Sequence, residues 1–250
     1  MIDTAREARA LPLPERIKAI SEPWIGLPYQ NGPLGELGGP DPDPVTRYDT
    51  FDCLTFVEEV LALALSPDPL AAQQVRRGLR YRNGGPATYE NRRHFMLAEW
   101  IPGTIEDGWM VDVTPSLPGA VQMDKAVTAS VWAAWRQRGA FDLADERLPV
   151  GTMSFWYLPL EAAADAIELI EPGSVVFTLR QPYEHLPIAI THVGITVPAE
   201  APTMRHASRM GQRVVRDDAL SWYVEHLGTY EKWPAAGLIV LQPVSYGPRR

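Results

Sequence analysis

The sequence predicts an α+β fold, on three observations. A long apolar helix opens near Asp52, β-branched runs crowd the last third of the chain, and a mixed segment at about 70–170 separates them. We read residues 1–250 as a single domain in which that segment, mainly helical by its pattern, is a large insertion. With 46% hydrophobic residues, a 250-residue chain can bury one substantial core.

The first expected element is a helix at roughly residues 14–22. A surface loop follows at 31–46 (NGPLGELGGPDPDPVT), where Gly, Pro and Asp disfavour regular structure. From Asp52 onward, Cys53, Phe56, Val57, Val60, Leu61 and Ala64 recur at spacings of three and four, Glu58 and Glu59 fall off that stripe, and Pro67 stops it. The spacing predicts a core helix whose first turn carries a thiol. Helices are expected within the insertion at 91–100, at 124–138 ending at Gly139, and at 159–169. Strands of an antiparallel sheet are expected at 174–179, 190–197, 212–216 and 238–244, interrupted by a helix at about 217–227 that Gly228 closes.

A formal net charge of -8 argues against a nucleic-acid partner, since phosphate binding needs a clustered basic face. There is no run of about 18 apolar residues, so no membrane span is expected. The first 25 residues, with Pro12, Pro14, Glu15 and Glu22, lack the apolar stretch of a signal peptide; a leader removed before residue 1 stays open.

Cys53 is the sole cysteine, which rules out an intramolecular disulfide and a cysteine zinc cluster. A lone cysteine is ordinarily a small buried hydrophobe. Here the neighbourhood points elsewhere. A thiol attacks as its thiolate, which is favoured at a helix N-terminus beside an imidazole, and Asp52 is placed to cap that helix. The N–H groups of the same turn face any oxyanion formed on the attacked carbonyl. The base must come from a distant segment. His192 in ITHVGITV and His206 in TMRHAS are joined by PAEAPT, and a hairpin centred on residue 199 makes them direct cross-strand neighbours with Cβ atoms about 5 Å apart. Val193, Ile195 and Val197 then face the other way. His192 suits the base and His206 the group that fixes its tautomer. By their surroundings alone, His94, His185 and His226 read as structural or solvated. No cofactor or metal is called for, although a zinc site built from His185, His192 and His206 is an alternative.

At these residues the chain resembles the NlpC-type, papain-like amidohydrolases of bacterial cell walls, through FDCLTFVEEVLALAL, ITHVGITV and RHAS. DCLTF, in place of the commoner DCSGL, together with NRRHFMLAEW, makes it similar to the N-acetylmuramoyl-L-alanine amidase-like branch. The resemblance runs from IGLPYQ at 25–30 to GLIVLQPV near the end. It implies a papain-like core with the nucleophile helix packed on an antiparallel sheet. It also implies a muropeptide or peptidoglycan substrate cut between the lactyl group and L-alanine, with a D-glutamyl endopeptidase as the alternative. Cys53, His192 and His206 match its catalytic positions. Tyr29 matches an aromatic hydroxyl lining the site, and with Asp52, Arg92, Arg93, His94 and Trp100 makes up the expected substrate-binding set. The two arginines suit carboxylates, a solvated helix face being the alternative. A glycan-binding module in which Tyr29, Trp100 and Trp109 stack on sugar is a non-enzymatic alternative. The resemblance implies the cell envelope or periplasm as the compartment, with the cytoplasm left open.

Overall fold

The cap expected at Asp52 is formed, and it is reciprocal. The Asp52 carboxylate accepts from the Thr55 N–H at 2.8 Å, while the Asp52 N–H donates to Thr55 Oγ1 at 3.0 Å. In the computed structural model, which describes residues 2–66 and 68–245, the helices are α1 (Ile2–Glu7), α2 (Leu13–Ser21), α3 (Cys53–Leu65), α4 (Ala72–Arg80), α5 (Ile101–Glu106), α6 (Ala129–Ala134), α7 (Leu160–Ala166) and α8 (Leu220–Leu227). The strands are β1 (Met110–Asp112), β2 (Val121–Val127), β3 (Gly151–Pro159), β4 (Val175–Arg180), β5 (Ile190–Val197), β6 (Thr203–Ala207), β7 (Val215–Ala219) and β8 (Ala235–Pro243). They form one antiparallel sheet in the order β2-β3-β8-β4-β5-β6-β7, with β1 also paired to β8. None of the described helices is long and apolar enough to cross a membrane.

The sheet is covered on both sides. Phe56, Val57, Val60 and Leu61 of α3 bury against Phe177, Val193, Ile195 and Val197, so the residues expected to point away from the histidines do pack. On the opposite face α7 and α8 pack over Val176, Met204, Leu238 and Val240. α3 ends at Leu65 with Ser66 as its cap; Pro67, the expected stop, lies outside the described residues.

Glu58 and Glu59, which fall off the apolar stripe of α3, are nonetheless buried. Arg76 of α4 grips Glu59 through Nε and Nη2 at 2.6 and 2.5 Å, Arg80 donates to Glu58 at 2.7 Å, and the Trp100 indole donates to the other Glu58 oxygen at 3.0 Å. Buried carboxylates of this kind persist only when their lone pairs are met, and α4 supplies the donors.

The segment at 70–170 holds more helical than strand residues, as expected, but three strands, β1, β2 and β3, also cross it. The expected helix at 124–138 is β2 followed by the short α6, and β2 pairs with the unforeseen β3 from Val121↔Tyr157 to Val127↔Gly151. VQMDKAV alternates its few apolar side chains, a strand period that the neighbouring alanines mask. The expected helix at 91–100 is displaced: a π-turn at Met96–Trp100 leads into α5, where Pro102 sits in the first turn and so costs no hydrogen bond. The expected helix at 217–227 loses its first residues to β7.

Candidate active site

The first turn of α3 opens into a cleft of about 500 Å³ that Cys53 lines with Tyr29, His94, Phe141, Arg209 and Trp233. A parallel bridge, Tyr29↔Phe51, brings Tyr29 beside the cysteine, since the Gly/Pro loop leaves the site at Asn31 and returns at Thr50. The Gly32 N–H closes that loop onto Asp52 Oδ2 at 3.1 Å. Arg209 Nε donates to the Tyr29 hydroxyl at 2.9 Å, and a second donor of the same guanidinium meets Asn31. With its oxygen accepting from Arg209, the Tyr29 O–H keeps its own proton for the cleft.

His192 and His206 come together, though not as direct cross-strand neighbours. The β5–β6 register runs Ile195↔Arg205, Thr196↔Met204 and Val197↔Thr203, which centres the hairpin on residue 200 rather than 199. Extending it one residue sets Gly194 opposite His206 and makes the two histidines diagonal neighbours on one face. Gly194 creates the room: a Cβ there would lie 2.8 Å from Met204 Cγ and 3.0 Å from His206 Cβ. The rings meet at 78°, with His192 Nε2 2.6 Å from His206 Nδ1. Tyr223 of α8 packs its ring edge-on to His206, and its hydroxyl pairs with Thr178 Oγ1 at 2.6 Å.

The chain of contacts continues to a residue that sequence reasoning missed. Asp218 Oδ2 lies 2.9 Å from His206 Nε2, and Arg216 forks onto the same oxygen from 3.0 and 2.7 Å. Met204↔Asp218 and His206↔Arg216 are paired, so Asp218 is again a diagonal neighbour. Burial works to raise the Asp218 carboxyl, but hydrogen bonds from His206 and Arg216 outweigh it and hold the group below the usual range. An ionised carboxylate can only accept, so His206 Nε2 carries a proton. In the neutral ring His206 Nδ1 then accepts from His192 Nε2–H, which leaves His192 Nδ1 with a free lone pair.

The thiol does not behave as its helix position suggested. Burial first, then the Asp52 carboxylate, push the Cys53 thiol up to about 12 against hydrogen bonds from the Val193 and Leu54 N–H groups and the charge of Arg209. Burial, then His206 and the arginines 180, 209 and 216, hold His192 well below its ordinary value. Both shifts favour the uncharged form of the side chain, the thiol of Cys53 and the neutral ring of His192. The hydrogen bond from Val193 N–H sets the sulfur against the backbone of the residue that follows His192.

Of the other expected binding residues, His94 lines the cleft with its Nε2 2.6 Å from the Tyr89 carbonyl oxygen, and burial pushes it down to about 4. Arg92 and Arg93 border an adjoining cavity of about 180 Å³ that shares Asp52, Leu54, His94 and Phe141 with the cleft, and their donors are committed internally. Arg92 pairs with Glu36 and Asp41, while Arg93 is tied to the carbonyls of Gly78, Leu79 and Gly103 and to Asp107. Trp100 is fully buried on Glu58 and Phe177 and touches no cleft, which corrects its assignment to substrate binding. Trp109 is likewise buried. Arg205, which flanks His206, is buried on Asp217, Glu22 and Ser21. His185 stacks on Tyr183, and among the described residues no group of three or more His, Cys, Asp or Glu is arranged to hold a metal ion.

The profile of a family described as AmiA-like, N-acetylmuramoyl-L-alanine amidase-like, matches residues 19–229. Solved structures with the same fold include a protein from Legionella pneumophila, 23% identical with a TM-score of 0.82, covering 97% of this chain and 92% of that one. An N-acetylmuramoyl-L-alanine amidase from Bacteroides uniformis is 25% identical with a TM-score of 0.73, covering 92% of this chain and 98% of that one. A Bacteroides fragilis protein described as a candidate xylanase is 21% identical with a TM-score of 0.70, covering 90% and 99%. No curated protein sequence matches the chain.

Proposed function

Since the chain belongs to the N-acetylmuramoyl-L-alanine amidase-like family, we propose that it is a cysteine-dependent amidase cutting the bond between the lactyl group of N-acetylmuramic acid and L-alanine in peptidoglycan fragments. The observation that carries the mechanism is the His192–His206–Asp218 chain, which leaves one lone pair on His192 while a thiol lies against the adjoining backbone. The proposal includes the NlpC-type, papain-like plan, with the nucleophile at the start of α3 and the base on β5. It also reads residues 1–250 as one domain whose insertion at about 70–170 supplies specificity, supported by His94, Gln137 and Phe141 in the cleft wall. The proposal places the enzyme in the cell envelope or periplasm, with the cytoplasm as the alternative.

Catalysis then runs through neutral partners. Cys53 Sγ attacks the lactyl carbonyl carbon as its proton passes to His192 Nδ1, so no separate thiolate has to be stabilised beforehand. The imidazolium is supported through His206 by Asp218, and the N–H groups of the α3 turn face the oxyanion. His192 returns the proton to the leaving alanine nitrogen, the C–N bond breaks, and a thioester remains. Water, deprotonated by His192, attacks the thioester, and the lactyl carboxylate and the thiol are released.

Mass spectrometry of a muramoyl tripeptide digest tests the assignment. The expected products are free N-acetylmuramic acid and an intact peptide beginning with L-alanine, and Cys53→Ala yields neither. Cleavage after D-glutamate with alanine still on the sugar moves the protein to the endopeptidases. Undiminished turnover by Cys53→Ala removes the cysteine mechanism.

A further inference from the structure

Beside the cleft lies a second groove of about 430 Å³, and Thr191 and Trp233 line both. Resting on the amidase reading above, we propose that this groove is a subsite for a carboxylate of the substrate's peptide, gripped by Arg180.

The sheet is built irregularly at this point. Thr178 pairs with His192 and Leu179 with Ile190, so Thr191 is an extra residue in β5; Leu179 pairs with Gly237 and Arg180 with Ala235, so Ala236 is an extra residue in β8. Paired bulges at the end of β4 re-aim side chains, as bulges beside active sites do. The first turns the Thr191 hydroxyl to accept from Arg180 Nε at 3.0 Å, one residue from His192. The Trp233 carbonyl accepts from Arg180 Nη1 at 3.0 Å, and the guanidinium carbon lies 3.9 Å from the centre of the Tyr230 ring.

The guanidinium is thus fixed on three sides by neutral groups. Arg76, Arg80, Arg92, Arg93, Arg205 and Arg216 each pair with a carboxylate of the chain, whereas no described carboxylate pairs with Arg180. Nη2 makes no hydrogen bond within the described residues, and Arg180 lines the groove. Lys232 adds a second positive charge to the rim, and Glu231 an opposing one. A pre-oriented guanidinium without an internal counter-ion favours a planar anion from outside. One residue spans about 3.5 Å, so the carboxylates of a glutamate following alanine stand two residues from the cut bond, and the groove adjoins the cleft through the shared Thr191 and Trp233.

The test is calorimetric titration of the Cys53→Ala protein with N-acetylmuramoyl-L-alanyl-D-glutamate and with its dicarboxamide, alongside turnover of both by the unmodified enzyme. We expect the free acid to bind about 10- to 100-fold more tightly than the diamide. Adding Arg180→Gln is expected to abolish that difference without weakening the diamide, and Arg180→Lys to restore part of it. Equal binding of acid and diamide overturns the subsite, and because this comparison needs no Arg180 variant it holds even where Arg180→Gln does not fold. Equal weakening of both compounds by Arg180→Gln in a folded protein likewise overturns it, making Arg180 a structural support. Carboxylate-dependent binding without turnover of either compound by the unmodified enzyme leaves the subsite standing and removes the amidase reading.

Discussion

His206 Nε2 stands 2.9 Å from Asp218 Oδ2, and the two residues are diagonal partners across β6 and β7. With His192 diagonal to His206 in turn, three side chains on three neighbouring strands form a line ending on a carboxylate that hydrogen bonds from His206 and Arg216 hold below its usual range. The sheet sets the spacing, so the polarity of the line is a property of the fold rather than of a loop.

That polarity makes Asp218→Asn informative. An asparagine fits the same space but can present N–H to His206 Nε2, which reverses the tautomer along the line and places a proton on the His192 nitrogen that acts as base in the proposed mechanism. We expect kcat to fall by roughly 100-fold or more with KM little changed, because a comparable wrong-tautomer substitution in a serine protease triad costs about 10⁴. His192→Ala is expected to cost more than His206→Ala, since in the proposed mechanism one residue moves the proton and the other orients it. Steady-state kinetics on a muramoyl peptide check both, and an Asp218→Asn enzyme of normal kcat removes Asp218 from the line.

Gly194→Ala tests why the histidines meet diagonally. The added Cβ lies within 3.0 Å of Met204 Cγ, Met204 Sδ and His206 Cβ, and His206 belongs to the strand itself and has little freedom to retreat. Overpacking of this kind costs about 1–3 kcal/mol. A lowered melting temperature together with a fall in kcat is expected. Full activity in a destabilised protein would show that Met204 alone absorbs the clash.

The neutral pair predicts the pH course of thiol alkylation. With Cys53 pushed up to about 12 and His192 held low, the thiolate fraction of the free enzyme rises tenfold per pH unit through the accessible range. Iodoacetamide labelling, followed by mass spectrometry between pH 6 and 10, is expected to be slow at neutral pH and to climb without a plateau. A rate independent of pH from 5 to 8 is the signature of a preformed thiolate–imidazolium pair and contradicts the general-base route.

Part of this site was legible in the sequence and part was not, for physical reasons. Cys53 on a capped helix start and His192 on a strand follow from local spacing, because cap and alternation are short-range signals. His206 followed from hairpin symmetry, and the register error of one residue arose because the turn's centre depends on loop conformation, which composition does not fix. Asp218 stayed hidden. Its RDDA segment joins strand to helix, and helical periodicity read backwards from α8 absorbs it, whereas the ladder with β6 holds it extended to Ala219. Arg92 and Arg93 misled for a related reason: a surface pattern cannot reveal that Glu36, Asp41 and Asp107 arrive from other parts of the chain.

Trp100 gives the sharpest contrast between the two levels of reading. Its position after NRRHF suggested a sugar-facing aromatic, yet it is fully buried, packs on Phe177 and donates its indole N–H to Glu58 at 3.0 Å. Trp100→Phe keeps most of the apolar contact and removes the donor, leaving one oxygen of a buried carboxylate unmet. Such an unmet group costs about 1–3 kcal/mol, and for a chain of this size each kcal/mol lowers the melting temperature by roughly 2–4 °C. The expected result is a melting point several degrees lower, with KM for the muramoyl peptide unchanged, since neither Trp100 nor Glu58 nor Arg80 lines the Cys53 cleft. Thermal unfolding and steady-state kinetics on the same preparation read both quantities. A raised KM at unchanged melting temperature would return Trp100 to the substrate and require the cleft to extend beneath α3.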